Sequence, residues 1–374
     1  MRILRSVGKT CFAAAYTATR RACRVAGQPG GWPSAPFIVC YHRVVEDFDQ
    51  SAKKAIPSML ISTKMLERHI DWLAKRFSLV SLDEIGHYLE SGRAFSRPAA
   101  AITFDDGYSD VYHHGFPLLQ RKGVPAAVFV VTDLVGTGRT QLFDRLYMVL
   151  RRGQSEGFPI ADIAGAAVRA AGLEVEVRSA IRDDDEPFRI MTLLLNKMPR
   201  NAVEPIITAL QRSMGRDQAS LEELAPLTWG MIGEMHDGGI TIGSHTSSHA
   251  LLTSESLESA KRELVDSRVA LESRLKGNVR HFAYPDGRFN PHVVQAVRSA
   301  GYRFAYSICH QRDSTFPLLT IPRKVLWERA CLNAWGRFSE SIMNCHAYAA
   351  FDSHDRCEHD HSTVASGEKN GTIN

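Results

Sequence analysis

No stretch of this 374-residue chain approaches the roughly 18 consecutive apolar residues that a membrane-crossing helix needs, so no transmembrane segment is predicted. Cys-x-x-Cys pairs are also missing. The seven cysteines (Cys11, Cys23, Cys40, Cys309, Cys331, Cys345, Cys357) are odd in number and scattered, which argues against a zinc knuckle or a dithiol redox motif and points to reduced thiols in a cytoplasmic protein. Excess charge is lacking as well: a net +4 is small for this length, and basic residues gather only at the N-terminus, so no nucleic-acid partner is expected. There is no internal repeat and no disordered or collagen-like bias. With 44% hydrophobic and 23% charged residues, the bulk of the chain should bury a core, as one large α/β domain with an insertion or as two modest domains.

What is present begins with a cationic leader. Arg2, Arg5, Lys9, Arg20, Arg21 and Arg24 surround the short apolar run from Cys11 to Tyr16. That run is too short for a signal peptide, and Arg20 and Arg21 stand where a small-residue cleavage site would be. Residues 1–30 therefore read as a basic amphipathic helix with its linker, suited to peripheral contact with the inner membrane surface through residues 1–25, or simply solvated. The linker proper is the Gly-, Pro- and Ser-rich stretch Gly27 to Pro36. At the other end, residues 352–374 are polar and poor in aliphatics and are expected to be a disordered tail. The histidines and acids between Ser353 and His361 are of metal-ligand type, but in such a tail they imply only adventitious binding.

Between these ends, residues 31–351 alternate strand and helix patterns. Apolar runs at Phe37 to Tyr41, Ala99 to Phe104, Ala126 to Val131, Ile240 to Ser244, His281 to Tyr284 and Phe304 to Ser307 predict buried strands. Helical spacing is seen at Lys64 to Phe77, Tyr112 to Lys122, Thr228 to Asp237, Ser256 to Lys276 and His292 to Ala300. Such alternation implies parallel strands joined by right-handed crossovers, with enough strands for a barrel. From about Thr137 to Leu227 the pattern is helical only, broken by the acidic run Asp183 to Glu186, and reads as an insertion.

Two clusters carry chemistry. In Thr103-Phe104-Asp105-Asp106-Gly107-Tyr108, adjacent carboxylates close a buried strand, which is costly unless a cation or proton balances them. Gly107 permits a sharp turn there, so the bland alternative is an Asp-Gly turn with solvated carboxylates. In Gly243-Ser244-His245-Thr246-Ser247-Ser248-His249, two histidines four apart share a face if a helix starts at Thr246, and surface histidines are the competing view. Together the clusters supply a two-His, one-carboxylate donor set with open positions, the pattern of a catalytic metal. Whichever Asp is not the ligand is free to act as a base, and the residues alone leave the assignment open.

TFDDGY at 103–108, SHTSSH at 244–249 and FAYPDG at 282–287 resemble, in order and context, the polysaccharide deacetylase (NodB-homology) family. The resemblance covers roughly Phe37 to Pro322 outside the helical insertion. It implies a distorted (β/α) barrel, a divalent metal, zinc above others, on Asp106, His245 and His249, Asp105 as catalytic base, and an N-acetylated glycan as substrate. Tyr41-His42-Arg43-Val44 is similar to the exopolysaccharide branch, which makes His42 a substrate-pocket residue, and Tyr284 and Pro285 are expected to wall the groove. Two features depart from the family. The arginine that usually precedes the third motif's proline is replaced by Ala283, so Arg323 in Ile321-Pro322-Arg323-Lys324 is the candidate substitute and joins the substrate-site residues. The late histidine that acts as general acid has only His310 and His346 as stand-ins, neither with matching neighbours. The expected function is thus metal-dependent N-deacetylation of amino sugars in a polysaccharide or glycan precursor. A catalytically silent carbohydrate-binding relative and a hydrolase of small non-carbohydrate amides are the alternatives.

Overall fold

The computed structural model describes residues 2–25, 35–93, 95–170, 186–198, 200–214, 222–309 and 312–352. The chain runs through α1 (Arg2–Val25), β1 (Phe37–Tyr41), β2 (Arg43–Val45), α2 (Phe48–Ser51), β3 (Leu60–Ser62), α3 (Thr63–Arg76), β4 (Ser78–Leu79), α4 (Leu82–Ser91), β5 (Ala99–Phe104), α5 (Phe116–Lys122) and β6 (Ala126–Val130). Four helices follow without a strand: α6 (Leu142–Ser155), α7 (Ile160–Ala170), α8 (Pro187–Lys197) and α9 (Arg200–Ser213). Alternation resumes with α10 (Trp229–Asp237), β7 (Thr241–Ser244), α11 (Leu257–Leu275), β8 (His281–Ala283), α12 (Pro291–Ser299), β9 (Phe304–Ser307), β10 (Ile321–Pro322), β11 (Lys324–Val325) and α13 (Glu340–Ala347).

Every apolar run read as a strand is one. They join in a parallel sheet of order β10-β9-β8-β7-β6-β5-β1-β11, with β4 also against β5 and a separate β2-β3 pair. The two ends of this path, β10 and β11, are separated in the chain by Arg323 alone. The sheet therefore curls until its edges almost meet, a distorted (β/α) barrel. Arg323 N donates to Ser307 O (2.9 Å) and Leu326 N to Cys40 O (2.9 Å), which fastens the seam on both sides.

Strand periodicity sorts the core into two layers. Val39, Ile102 and Val128 pack outward against the helices, while their neighbours Ile38, Ala101 and Ala127 join Phe129, Phe304 and Tyr306 in a second, inner cluster. The amino end of the barrel is stopped by α4, whose Leu82 and Ile85 belong to that inner cluster. Gly86 is required there, because a Cβ would lie 2.4 Å from Phe304 Cζ. The helix itself is set by a capping box between Ser81 and Glu84 and ends at Gly92 in the left-handed conformation.

The insertion has its own core, built by residues such as Leu146, Leu150, Val203 and Leu210, which continues into Ile56 and Leu60 beside the barrel. Strands β2, β3, β4, β10 and β11, two or three residues each, are too short to show a period and were not expected from the sequence. The leader differs from a free amphipathic helix: α1 packs against α13, burying Ala13 and Thr17, with Lys9 Nζ donating to Ala330 O (2.7 Å) and Arg20 stacked 3.8 Å from the Tyr348 ring. Among the described residues no helix is long and apolar enough to cross a membrane. Residues 26–34 of the expected linker, the acidic run up to residue 185, His310 and residues 353–374 lie outside the described residues.

Candidate metal centre and active site

In a parallel barrel every strand delivers its carboxyl end to the same rim. Here β5 runs into Asp105 and Asp106, β7 into His245, β8 into Tyr284, and the β10–β11 seam supplies Arg323. Asp106 takes φ 72 and Gly107 φ 69, so the chain doubles back immediately and both carboxylates stay at the strand end, buried. Asp106 Oδ1 lies 3.4 Å from His245 Nε2 and 3.2 Å from His249 Nε2, and the three donor atoms are all within 4.8 Å of one another.

The chemistry of that contact calls for a cation. His245 Nδ1 can only donate to Ala283 O (2.8 Å), which leaves the Nε2 lone pair of a neutral imidazole facing Asp106. Both carboxylate oxygens of Asp106 are buried without a hydrogen bond. Three lone-pair groups turned inward on one point repel unless a positive ion stands among them, so the donor set fits a divalent metal. Burial opposes ionisation of Asp106, and only positive charge at this point, whether protonated imidazoles or an ion among them, holds its carboxyl well below the usual range.

The expected helix from Thr246 does not form. Thr246 (φ 67) and His249 (φ 62) both adopt left-handed backbone, and Thr246 Oγ1 accepts from His249 N (2.9 Å), so the second histidine returns to the metal point through a tight loop. Left-handed backbone is unfavourable for a β-branched threonine, and the loop is held by Glu263, which accepts from Ser248 N (2.8 Å) and Ser248 Oγ (2.6 Å). The imidazole of His249 also lies against Phe143 of the insertion, ring centroids 5.0 Å apart.

Arg323 stands against Asp105, the place the sequence reading gave to a substitute arginine, and not on the cavity wall with the substrate-site residues it was grouped with. Its guanidinium is buried under Asp105, with Nη1 donating to Oδ1 and Nη2 to Oδ2 (2.7 Å each) and Nη1 also to Thr103 Oγ1 (3.0 Å). Burial favours the neutral acid of Asp105, but Arg323, followed by His245, outweighs it and keeps the carboxyl below its ordinary value. Cys40 Sγ lies 3.3 Å from Asp105 Oδ2, and Cys40, His42 and Asp105 bring three further donor atoms together. A guanidinium already closes on both Asp105 oxygens, so this second group has no room for a cation.

A cavity of about 430 Å³ opens over the site, and Asp105, Asp106, His245, His249, His42 and Tyr284 line it. His42 keeps a buried Nδ1 without a hydrogen-bond partner. Tyr284 donates its hydroxyl away from the cavity to Leu319 O (2.8 Å). Pro285 starts a turn in which Asp286 and Gly287, rather than Pro285, reach the cavity wall, a second correction. His346 lies away from the cavity on α13, its Nε2 3.2 Å from Ala330 O, and does not serve as the missing acid.

Sequence reasoning passed over Asp144. It is buried on α6 and accepts from Tyr108 (2.6 Å), which ties the insertion to the TFDDGY strand end. Burial pushes its carboxyl up to about 7 against the Tyr108 hydrogen bond and the nearby Arg43 charge. Arg43 in turn is paired with Asp110 (2.7 Å). An acid in the first turn of a helix of unknown docking gives no local signal.

A nearly closed parallel (β/α) barrel with an Asp-His-His donor set and an arginine-held carboxylate at its carboxyl rim defines the class. The sequence pattern of the polysaccharide deacetylases matches residues 92–164 and 185–305, just over half of the chain, and the protein belongs to that family. A poly-beta-1,6-N-acetyl-D-glucosamine N-deacetylase of Staphylococcus epidermidis is 30% identical over 105 residues, 26% of this chain and 36% of that protein. Its Staphylococcus aureus counterpart is 28% identical over 107 residues, 28% of this chain and 36% of that protein. The matched stretches thus span only about a third of the length of these relatives. Among solved structures, IcaB from Ammonifex degensii is similar with TM-score 0.50 and 17% identity, covering 85% of this chain and 98% of its own. The Streptococcus pyogenes deacetylase PplD, solved in complex with acetate, is similar with TM-score 0.50 and 16% identity, covering 80% and 95%. At such identities the likeness is one of fold.

Proposed function

We propose that this chain is a zinc-dependent N-deacetylase that hydrolyses the acetamide of N-acetylated amino sugars in a polysaccharide or glycan precursor. The observation that carries the reading is a buried Asp106 carboxylate with no hydrogen bond, faced by two imidazoles and flanked by an Arg323-held Asp105. Asp106, His245 and His249 would hold a divalent ion, which when bound would supply Lewis acidity to the amide carbonyl and lower the pKa of water at the site. Asp105 takes a proton from the attacking water. Oδ2 accepts from both Arg323 and the Cys40 thiol, Oδ1 gives one lone pair to Arg323 and keeps another for that transfer, and the fixed guanidinium holds the carboxylate ionised and in one orientation. His42 and the Tyr284 segment face the sugar from the cavity wall. The Arg323 to Asp105 pair favours this reading over a silent carbohydrate-binding relative, since a silent site has no need to keep a desolvated base ionised.

Metal analysis of the purified protein, combined with acetate release from N-acetylglucosamine oligomers and small amides, tests the proposal. Bound metal and acetate release that is lost in Asp105→Asn and Asp106→Ala are expected. Absence of both in the wild-type protein refutes it.

We also propose that the protein is cytoplasmic and touches the inner membrane surface beside α1. The helix contains no acidic residue, and Trp335, 77% exposed, stands next to it through the Ala334 N to Thr10 Oγ1 hydrogen bond (3.0 Å). Sedimentation with anionic vesicles should depend on residues 1–25, and equal recovery with neutral vesicles or after their deletion discards the idea.

A further inference from the structure

The insertion turns an apolar surface toward the reacting amide. Leu142 and Phe143 of α6, Met191 and Leu195 of α8, and Met198 just beyond it form one side of the cavity, and Trp327 closes it from the barrel. This wall starts at the metal centre itself, where the Phe143 ring lies 5.0 Å from His249, and runs outward to Phe188, which is 42% exposed at the cavity margin. Hydroxyl-rich sugar rings are held by hydrogen-bond donors, acceptors and aromatic faces. Leucine and methionine side chains offer almost none of these and gain only by taking aliphatic surface out of water. Thr192, Asn196 and Arg200 interrupt the same side and offer hydrogen bonds to the sugar, so the leucine and methionine patch among them is left for aliphatic surface.

We infer that the substrate carries an aliphatic chain beside its hydrolysable amide, making it an amphiphilic N-acyl amino sugar whose chain lies along α6 and α8. The inference rests on the deacetylase reading above and names its substrate class. Because the hydrolysed group in that reading is an acetyl, the chain is a lipid aglycone on the sugar, and a long acyl group on the nitrogen is the other outcome of the test. Hydrolysis balances identically for both: the carbonyl C–N bond breaks, a C–O bond forms from water, and the products are a carboxylate and an ammonium group whose nitrogen receives both of the water's protons.

The full chain, loaded with zinc, is assayed with an N-acetylglucosamine oligomer, with methyl and octyl glycosides of N-acetylglucosamine, and with the methyl glycoside of N-octanoylglucosamine. All alkyl compounds are kept below micelle-forming concentrations. Binding of octyl glucoside, which has no amide, is followed in parallel by calorimetry. Burial of each methylene is worth roughly a fourfold change in affinity, so covering only two of them lowers KM more than tenfold from methyl to octyl. A lower KM for the octyl glycoside assigns the chain to the aglycone, and for the octanoyl amide to the acyl group. Either preference should shrink toward unity in Met191→Gln/Leu195→Gln. Turnover of the oligomer with no gain from either chain and no octyl glucoside binding overturns the inference and leaves the deacetylase reading standing. Octyl glucoside binding that weakens in Met191→Gln/Leu195→Gln, with no hydrolysis of any substrate, supports the apolar wall and refutes the deacetylase reading. Neither binding nor hydrolysis refutes both.

Discussion

Replacing Arg323 by methionine keeps most of its volume and removes the guanidinium charge that closes on Asp105. Both partners are buried, with side chains 0% and 4% exposed, and the two hydrogen bonds are 2.7 Å. Breaking a buried pair from one side leaves an uncompensated charge, so Arg323→Met should lose about 3–5 kcal/mol of folding stability. The direction of the chemical effect follows from the same pair. Without the guanidinium, burial dominates and the Asp105 carboxyl rises from its depressed value. The base must be ionised to accept a proton, so the acidic limb of kcat/KM moves to higher pH. Urea unfolding gives the first quantity, and acetate release between pH 4 and 9 gives the second. Asp105→Asn added to Arg323→Met removes the stranded charge and should restore part of the stability, a coupling that independent sites would not display. Arg323→Lys should recover charge but not the two-pronged geometry, and with it only part of the rate. An Arg323→Met protein within roughly 1 kcal/mol of wild type, the worth of an exposed pair, with an unmoved acidic limb, would refute the assignment.

The metal point makes a second expectation: removing the ion with a chelator should lower the unfolding temperature. Restoring it at a hundred times its Kd should return about 2.7 kcal/mol, and Asp106→Ala should abolish the response as read by thermal melts with and without zinc. A third concerns acid. Burial lowers the His69 imidazole from its ordinary 6.5 to about 3, and burial with the nearby Lys9 charge lowers His346 to about 4. The unfolded chain binds protons below about pH 6.5 where the folded one does not, so stability is complete above that pH and falls as pH drops toward 3. His69 alone should cost roughly 2–3 kcal/mol at pH 4.5, and His69→Phe should flatten the urea-measured decline by that amount. Fourth, Gly287→Ala sets a side chain at φ 66 with its Cβ 2.7 Å from Ile308 N, so about 1–3 kcal/mol of stability should be lost and KM should rise as the cavity wall shifts. An unchanged denaturation midpoint would remove the steric argument.

The parts of this protein that could be read without a structure are those whose cause is local. Buried strands such as Phe37–Tyr41 and Ala99–Phe104 show as apolar runs because both faces of a barrel strand are covered. Asp105 and Asp106 stand out because adjacent carboxylates after such a strand need a counter-charge, and the His245 and His249 pair stands out by spacing. Local pattern misled where backbone strain won. His249 reaches the metal point through left-handed Thr246 rather than along a helix face, a geometry that the Glu263 hydrogen bonds sustain from a different element.

Arg323 marks the limit most clearly. It could be named as a candidate only because Ala283 holds no arginine, and its partner lies 218 positions away. Barrel closure alone brings the seam between β10 and β11 under the end of β5. The same holds for Phe143 and Asp144, whose helical pattern told that α6 exists but not which strand end it would cover. Residue type and spacing decided which groups can do chemistry here. Which of them meet was decided by packing, because contacts between distant segments depend on how whole faces are buried and leave no trace in the order of the residues along the chain.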